Sequence, residues 1–536
     1  MSRRTLAGVA AAAALILLAG LPLRPDGRSK LSPDLLKAMT AASATLVAPV
    51  ASVSDCAGVR AGSATEQGGL LHVWVYFGDK GITGGGALRT ALADRRQELS
   101  AHAQWRRAKV RADGNLVDFE DLPVRTDYTD QVRARAMRVR TVSRWLNALS
   151  VDAAPDAVWS LAELDGVDHL DVVRGFRRGE TPDIPETDIS QRQAPTTLAA
   201  TRNPIYGAAF AQLNQINVPT LHLQGLSGRG VVVCLLDVGC RWDHEVFRLA
   251  RLIRQWDFVF GDGDVRQNAT DPNDYSDAHG TATWSLLGGF KFGTMAGPAF
   301  GADILLGKTE VGTSETPIEE DYWAAGIEWA ESLGAEVVSS SLGYTDWYTF
   351  ADMDGKTAVT TKAANRAVSL GVVVVNAAGN ERRNAWAHII APADGPGVIA
   401  VGAVDSAGKI ASFSSPGPTA DGRIKPEVCA WGVSNLVAAT AKDGSDTYVT
   451  GSGTSYATPL VAGVAALLLE AHPDWTPIQV RNALMNTAGN AAAPNNDYGW
   501  GIVDALAANS YKTPVAARTA KPALAASAYK PSARVR

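Results

Sequence analysis

The 536-residue chain has few cysteines and no excess of positive charge. Its four cysteines, Cys56, Cys234, Cys240 and Cys429, are too few to imply a disulfide framework, although one bond could form. The net charge of -5 lacks the basic excess of a nucleic-acid-binding surface, so no nucleic-acid partner is expected. No Cys/His cluster has zinc-ligand spacing, and no acidic loop has calcium-loop spacing. The remaining classes are an enzyme and a protein-binding module.

Long apolar runs are also scarce, with one exception at the N-terminus. Arg3 and Arg4 precede an uncharged apolar run at residues 6–23, a pattern typical of an export signal. The run is long for a signal core and lacks a small-x-small cleavage site, so an uncleaved anchor stays open. We predict that residues 1–30 are a signal peptide or N-terminal anchor. The expected location is therefore secreted, extracellular or in the cell envelope, with membrane contact only through this segment.

The first part of the chain predicts a linker, a small domain and a connector. Residues 31–68 are rich in Ala, Ser and Gly without a period, which indicates a linker. Residues 69–175 alternate strand and helix character, which predicts a compact α/β domain. Its strands are expected at 71–77 and 169–173, and its helices at 87–109 and 132–149. Its many arginines, interleaved with acids, predict a solvated helix face. Residues 176–205 carry prolines and charges and predict an exposed connector, where a protease would cut first.

The second part of the chain predicts a larger α/β domain and a tail. Residues 206–508 alternate short apolar strands with amphipathic helices, which is typical of a parallel sheet covered on both faces. Because ligands bind beyond the carboxyl ends of such strands, polar residues there are site candidates. Residues 509–536 are basic, contain no acid and are rich in Ala, Pro and Ser, so we expect disorder.

Ser455 is the central candidate for chemistry. Glycines precede it, and apolar residues at helical spacing follow it, so it is expected at a helix entrance with Pro459 in the first turn. A serine there is usually only a cap. However, His279 starts another helix, and Asp237 and Asn380 follow strands. A hydroxyl needs an imidazole to take its proton, an acid to orient that imidazole and a donor for the oxyanion.

Several segments resemble the blocks of the subtilisin-family (subtilase, S8-type) serine endopeptidases. DVG at 237–239, HGT at 279–281 and GTSYATP at 453–459 occur in that family's order of Asp, His and Ser. The segments FSSPGP at 413–418 and HPDWTP at 472–477 also match. Three departures stand out. Val238 replaces the usual hydroxyl residue, His244-Glu245 replaces the His-Pro dipeptide often seen there, and Ala282 and Thr283 stand where His-Val-Ala is common.

The resemblance implies a subtilisin-like three-layer α/β fold with a mostly parallel central sheet, preceded by a small α/β propeptide domain. It implies a catalytic triad of Asp237, His279 and Ser455, with Asn380 and the Ser455 amide as oxyanion donors. The substrate-binding residues would be Ser341, Leu342, Gly343, Ala377, Ala378 and Gly379. The substrates would be proteins or peptides, and the propeptide would act as an intramolecular inhibitor removed by autoprocessing within 176–205.

No cofactor is expected to be required. Structural calcium is common in the family, but the acidic loops near Asp262 and Asp271 give no assignable ligands. One alternative is a catalytically silent binding or adhesion module with the same fold. Another is a sedolisin-like acid peptidase, which uses Glu and Asp. The presence of His279 and Asn380 argues against the second, and the full set of four groups argues against the first.

Overall fold

The structure is a computed structural model that describes residues 25–47, 69–174, 204–267, 277–311, 320–441, 443–513 and 521–522. The apolar run at 6–23, Cys56, residues 175–203 of the predicted connector, and most of the predicted disordered tail lie outside these residues. The described chain forms a small domain and a large domain, which are packed against each other.

The small domain is a four-stranded antiparallel sheet in the order β2-β3-β1-β4, with helices packed against it. Its strands are β1 (Leu71–Phe77), β2 (Arg138–Ser143), β3 (Ala148–Ala153) and β4 (Val167–Val172). The helices are α1 (Pro25–Ser29), α2 (Pro33–Val47), α3 (Gly85–Glu98), α4 (Ala101–Arg107), α5 (Thr126–Arg133) and α6 (Pro155–Ala162), with 3₁₀ turns at Asp113–Asn115 and Phe119–Asp121.

The structure differs from two sequence expectations in this region. Part of the predicted linker forms α2, because Leu35, Met39 and Ala42 repeat at helical spacing and are buried against the sheet. The helix expected at 132–149 is instead the end of α5 followed by β2 and the start of β3. Along β2 the exposure alternates between neighbouring residues, which is the period of a strand. The prediction was wrong because charged residues masked that alternation.

The large domain is built on a seven-stranded parallel sheet in the order β13-β12-β11-β10-β5-β9-β6. Its strands are β5 (Val232–Asp237), β6 (Arg251–Asp257), β7 (Phe290–Lys291), β8 (Met295–Ala296), β9 (Asp303–Lys308), β10 (Val337–Ser340), β11 (Val373–Ala377), β12 (Ile399–Val404), β13 (Val428–Trp431), β14 (Asn435–Thr440) and β15 (Asp446–Gly451). β7 pairs with β8, and β14 pairs with β15, as antiparallel ribbons.

Helices cover both faces of this sheet. They are α7 (Phe210–Asn214), α8 (Val218–Leu223), α9 (Ala278–Gly288), α10 (Glu320–Leu333), α11 (Val359–Ser369), α12 (Thr454–Ala471), α13 (Pro477–Asn486) and α14 (Ala505–Asn509), with 3₁₀ turns at Glu245–Phe247 and Phe350–Asp352. In β5, Val233 and Leu235 face the core containing α9 and α12, whereas Cys234 and Leu236 face the core containing α10 and α11. The three-layer α/β fold with a parallel sheet is therefore confirmed.

Helix α12 runs through the centre of the large domain. Within the described residues it is the one helix long and apolar enough to cross a membrane, and 89% of that stretch is buried inside the protein. Its apolar character is explained by the core that it fills.

The small domain contacts α10 through buried ion pairs. Arg107 donates to both carboxylate oxygens of Glu331 at 2.8 Å, and Arg106 also contacts Glu331. Arg140 donates to Asp321 at 2.8 Å. The three guanidinium side chains are at most 1% exposed. The prediction of a solvated arginine face is therefore wrong for these residues, because their partners lie in the other domain.

Two further acids on this side of the large domain also bind donors of the small domain. Glu320 accepts from the Trp74 indole at 3.1 Å and from the Arg174 amide at 2.8 Å. Glu336, just before β10, lies 3.1 Å from the His102 ring nitrogen. A row of buried carboxylates thus pairs with donors of the small domain.

Candidate active site

The candidate site lies at the carboxyl ends of the central strands. Asp237 is the last residue of β5, Ser341 directly follows β10, and Asn380 comes three residues after β11. β5, β10 and β11 are neighbours in the sheet. Parallel strands bring their ends to one edge, so these separate segments meet there.

His279 lies in the first turn of α9 and is held against Asp237. Its Nδ1 is 2.7 Å from Asp237 Oδ1, and both side chains are largely buried. Gly280 permits the approach, since a Cβ there would be 1.8 Å from the carbonyl oxygen of Gly239. That contact would be impossible for any other residue, so the glycine after the histidine sets the distance between α9 and β5.

Asp237 is surrounded by donors that favour its charged form. Burial alone would raise its pKa, but His279, the Val238 amide and the Thr283 hydroxyl hold the pKa below its usual value. The Val238 N–H donates to Oδ1 at 2.8 Å, and the Thr283 hydroxyl donates to Oδ2 at 2.9 Å. An ionised Asp237 then orients the imidazole and stabilises its protonated form.

Ser455 is the second residue of α12. It is buried and exchanges two hydrogen bonds with Ser341. The Ser455 hydroxyl donates to the Ser341 carbonyl at 3.2 Å, and the Ser341 hydroxyl donates to the Ser455 carbonyl at 2.9 Å. Pro459 leaves the Ser455 carbonyl free to accept the hydrogen bond from Ser341. It lies inside the helix rather than in the expected first turn, and without an N–H it cannot bond the Ser455 carbonyl.

The other ring nitrogen of His279, Nε2, is buried and has no hydrogen-bond partner. The His279 ring lies 6.0 Å, centroid to centroid, from the ring of Tyr456, the residue after Ser455. Active-site hydrogen bonds are often long in the free enzyme and tighten with substrate, so the present Ser455–Ser341 bond is compatible with transfer to His279.

Asn380 is oriented by the start of α12. Its Oδ1 accepts from the Thr454 amide at 2.9 Å and from the Thr454 hydroxyl at 3.0 Å. The Nδ2 group consequently points away from Thr454. The Ser455 amide belongs to the first turn of the helix, where N–H groups have no intrahelical acceptor. Two donors are therefore available at this helix end.

The predicted substrate-binding residues form two segments beside these groups. One is 341–343, which follows β10, and the other is 377–379, at the end of β11. The Asn376 side chain links them by donating to the Leu342 carbonyl at 3.0 Å. The structure thus brings the segments 341–343 and 377–379 together. Ser455 contacts Ser341, and Asn380, which follows Gly379, contacts Thr454 at the same helix end.

Sequence reasoning missed two positioning residues. Thr283, one turn after His279, supplies a hydroxyl to Asp237, and Thr454 orients Asn380. The available signal for Thr283 was its departure from the family's His-Val-Ala pattern. The family pattern has a hydroxyl residue directly after the aspartate, where this chain has Val238. In this chain a hydroxyl is instead supplied to Asp237 by Thr283.

Within the described part of the chain, no three His, Cys, Asp or Glu side chains converge in a metal-binding group. Asp264, in one acidic loop, is paired with Arg266 at 2.6 Å. The loop at 271–274 lies outside the described residues. Cys234, Cys240 and Cys429 are buried free thiols.

Two family models match the chain. The model of the subtilase family, peptidase S8, matches residues 228–501, and that of a peptidase S8 propeptide domain described from Bacteroidota matches residues 72–187. The second range covers the small domain and the start of the connector.

Known proteases are similar to the large domain. Subtilisin of Bacillus pumilus is 35% identical over 302 residues, which is 55% of this chain and 97% of that protein. Subtilisin E of Bacillus subtilis is 35% identical over 301 residues, or 70% of its length.

The fold also matches fervidolysin from Fervidobacterium pennivorans, a keratinolytic enzyme related to subtilisin. Its crystal structure aligns with a TM-score of 0.59 at 23% identity, covering 85% of this chain and 63% of that one. At that identity the likeness concerns the fold alone. The family models and the subtilisins confirm the predicted family and enzyme class. The chain belongs to the subtilase family and is a serine endopeptidase with an N-terminal propeptide domain.

Proposed function

We propose that Ser455, His279 and Asp237 hydrolyse peptide bonds through an acyl-enzyme. The Ser455 oxygen attacks the scissile carbonyl carbon while His279 Nε2 takes the hydroxyl proton. The tetrahedral intermediate then expels the amine, which leaves with the proton from His279. Water then attacks the acyl carbon while His279 takes its proton, the bond from the Ser455 oxygen to the acyl carbon breaks, and the carboxylic acid leaves as Ser455 regains the proton from His279.

One observation carries this proposal: His279 is held by Asp237 at 2.7 Å through Nδ1, while its Nε2 has no partner. This arrangement fits a general base, which needs one ring nitrogen anchored and the other available to take a proton.

The oxyanion would be bound by Asn380 Nδ2 and the Ser455 amide. Thr454 fixes the amide of Asn380 in the required sense. Donors that are already in place when charge develops cost no reorganisation during the reaction, which is why they contribute strongly to the rate.

The proposal extends to the life of the precursor. Residues 1–30 would direct export, the small domain would inhibit the enzyme intramolecularly, and Ser455 would cut the connector within 176–205. The buried ion pairs on α10 support a small domain that stays bound until that cut. No cofactor is required in this scheme, and calcium ligands are not assigned.

Replacing Ser455 by Ala tests the nucleophile. The full chain carrying Ser455→Ala should lose peptidase activity and should remain at precursor length. The neighbouring Ser452→Ala is a matched control, since its hydroxyl only accepts from the Ser434 amide. Persistence of cleavage or of shortening in Ser455→Ala would reject the assignment. The silent-module alternative predicts that the wild-type chain is inactive. Peptidase activity of the wild type would therefore exclude that alternative.

A further inference from the structure

Ile390 occupies the gap between the two segments at 341–343 and 377–379. A Cβ added to Gly343 would lie 2.1 Å from the Ile390 Cδ1 atom, and one added to Gly379 would lie 3.1 Å from the same atom. The two glycines therefore face one shared space from opposite segments. The end of the isoleucine side chain already fills it.

The backbone around Ile390 is fixed to both segments. The Ile390 amide donates to the Ala378 carbonyl at 3.3 Å, and the Tyr344 amide donates to the Ala391 carbonyl at 2.9 Å. Ile390 is only 5% exposed. Branching at Cβ restricts χ1, and a close-packed interior leaves few voids, so Ile390 has little freedom to move aside.

The position of this gap relative to the reacting groups identifies what would enter it. The first segment begins at Ser341, whose carbonyl accepts from the Ser455 hydroxyl at 3.2 Å. The second segment ends next to Asn380, the proposed oxyanion donor. In the proposed reaction the scissile carbonyl would lie between Ser455 and Asn380. The side chain of the residue that contributes this carbonyl would then lie next to the gap between the two segments.

We propose that Ile390 is a specificity-determining residue that limits the residue contributing the scissile carbonyl to Gly, Ala or Ser. The inference rests on the proposed function of Ser455. A larger side chain would have to displace Ile390, and inserting extra methylenes into a packed site forces strained rotamers and backbone shifts. One methylene too many in an apolar pocket reduces kcat/KM by about 10- to 200-fold.

The test compares peptide substrates that differ only at that residue. Enzyme obtained from the full chain is assayed on matched peptide anilides with Ala, Leu or Phe before the scissile bond. We expect kcat/KM for Ala to exceed that for Phe by at least about 10-fold. Equal or faster cleavage after Phe would overturn the inference and leave the peptidase function standing. Absence of cleavage of every peptide, together with no labelling of Ser455 by a fluorophosphonate, would instead reject the proposed function.

Ile390→Ala provides the second measurement. It should raise the Phe-to-Ala ratio of kcat/KM by at least about 10-fold, because the gap is enlarged. A ratio within one preparation does not depend on how much enzyme is active, so partial loss of folding leaves it interpretable. Ile304→Ala makes the same truncation in the buried strand β9 and should leave the ratio unchanged. An unchanged ratio in Ile390→Ala would overturn the inference, and if that variant is not produced, the wild-type series decides.

Discussion

The orientation of the Asn380 side chain is set by its acceptor atom, Oδ1. This atom is held by two bonds from Thr454. The amide nitrogen is thereby directed elsewhere without any bond of its own to the helix. This division of one side chain into an anchored end and a donor end is what an oxyanion site requires.

Asn380→Ala should lower kcat by about 100- to 1,000-fold with little change in KM, because the lost donor acts mainly in the transition state. Steady-state kinetics on a peptide substrate measure this split. Asn384→Ala is the matched control, since Asn384 lies exposed in the same loop. A near-normal kcat for Asn380→Ala would remove this residue from the proposed role.

Thr283→Val should lower kcat about 10-fold at unchanged KM. A hydrogen bond to a charged group contributes about 1.5–3 kcal/mol, and its loss leaves one oxygen of Asp237 without this donor. Thr283→Ser keeps the hydroxyl and should restore the rate. If the Ser and Val variants were equally slow, packing rather than the hydrogen bond would explain the effect.

The candidate site could be located from the sequence, but the residues that support it could not. Asp237, His279 and Ser455 stand in short blocks whose order matches that of the subtilase family. Thr283 and Ile390 carry no such pattern, because their importance depends on contacts between segments that are distant in the chain. Ile390, for example, matters only because Gly343 and Gly379 face it.

Among the secondary-structure elements, α12 fills the core of the large domain and carries Ser455 at its start, and the sequence indicates this only in part. Its apolar run predicts a buried helix, and the structure agrees. The place of Pro459 was predicted wrongly, since helix boundaries cannot be fixed to one turn from spacing alone. The observed position explains why Ser341 can bind the carbonyl of Ser455.

Helix α10 shows how two domains share buried charges. Burial alone would raise the pKa of Glu331, but Arg106 and Arg107 lower it to about 2. Ionised Glu331 therefore stabilises the domain contact fully at pH values above its ordinary pKa of 4.5. This contribution is lost as the pH falls from about 4.5 to about 2.

Glu331→Gln should destabilise the contact by about 3–5 kcal/mol near neutral pH, because it leaves buried arginines without a charged partner. Urea unfolding of the full chain carrying Ser455→Ala, in which the domains are expected to stay linked, measures the difference. The exposed pair of Asp130 and Arg133 offers a control, and Asp130→Asn should cost at most about 1 kcal/mol. Equal effects of the two substitutions would contradict the account of α10.

The stability difference between wild type and Glu331→Gln should also shrink as the pH falls from about 4.5 to about 2. The comparison with the wild type is needed because the pKa of Glu320 is shifted in the opposite direction to that of Glu331. Burial raises the pKa of Glu320 to about 7, so its unfavourable contribution grows as the pH rises. The difference isolates Glu331, and a difference that is independent of pH would contradict its assigned pKa.

At the scale of the whole molecule, the domain order could be predicted but the contact between domains could not. Alternating strands and helices predicted the parallel sheet, and polar residues at strand ends predicted a candidate site at the carboxyl edge of that sheet. The pairing of Arg107 with Glu331 joins residues 224 positions apart. No local period reports such a pair, so the arginines of the small domain resembled an ordinary solvated surface.

The central claim is that Ser455 is the nucleophile activated by His279. Its most direct test is reaction of the full chain with a fluorophosphonate, followed by mass spectrometry of the labelled peptides. We predict a single adduct on Ser455 in the wild type and a strong loss of labelling in His279→Ala. Absence of an adduct, or an adduct on another serine, would contradict the account.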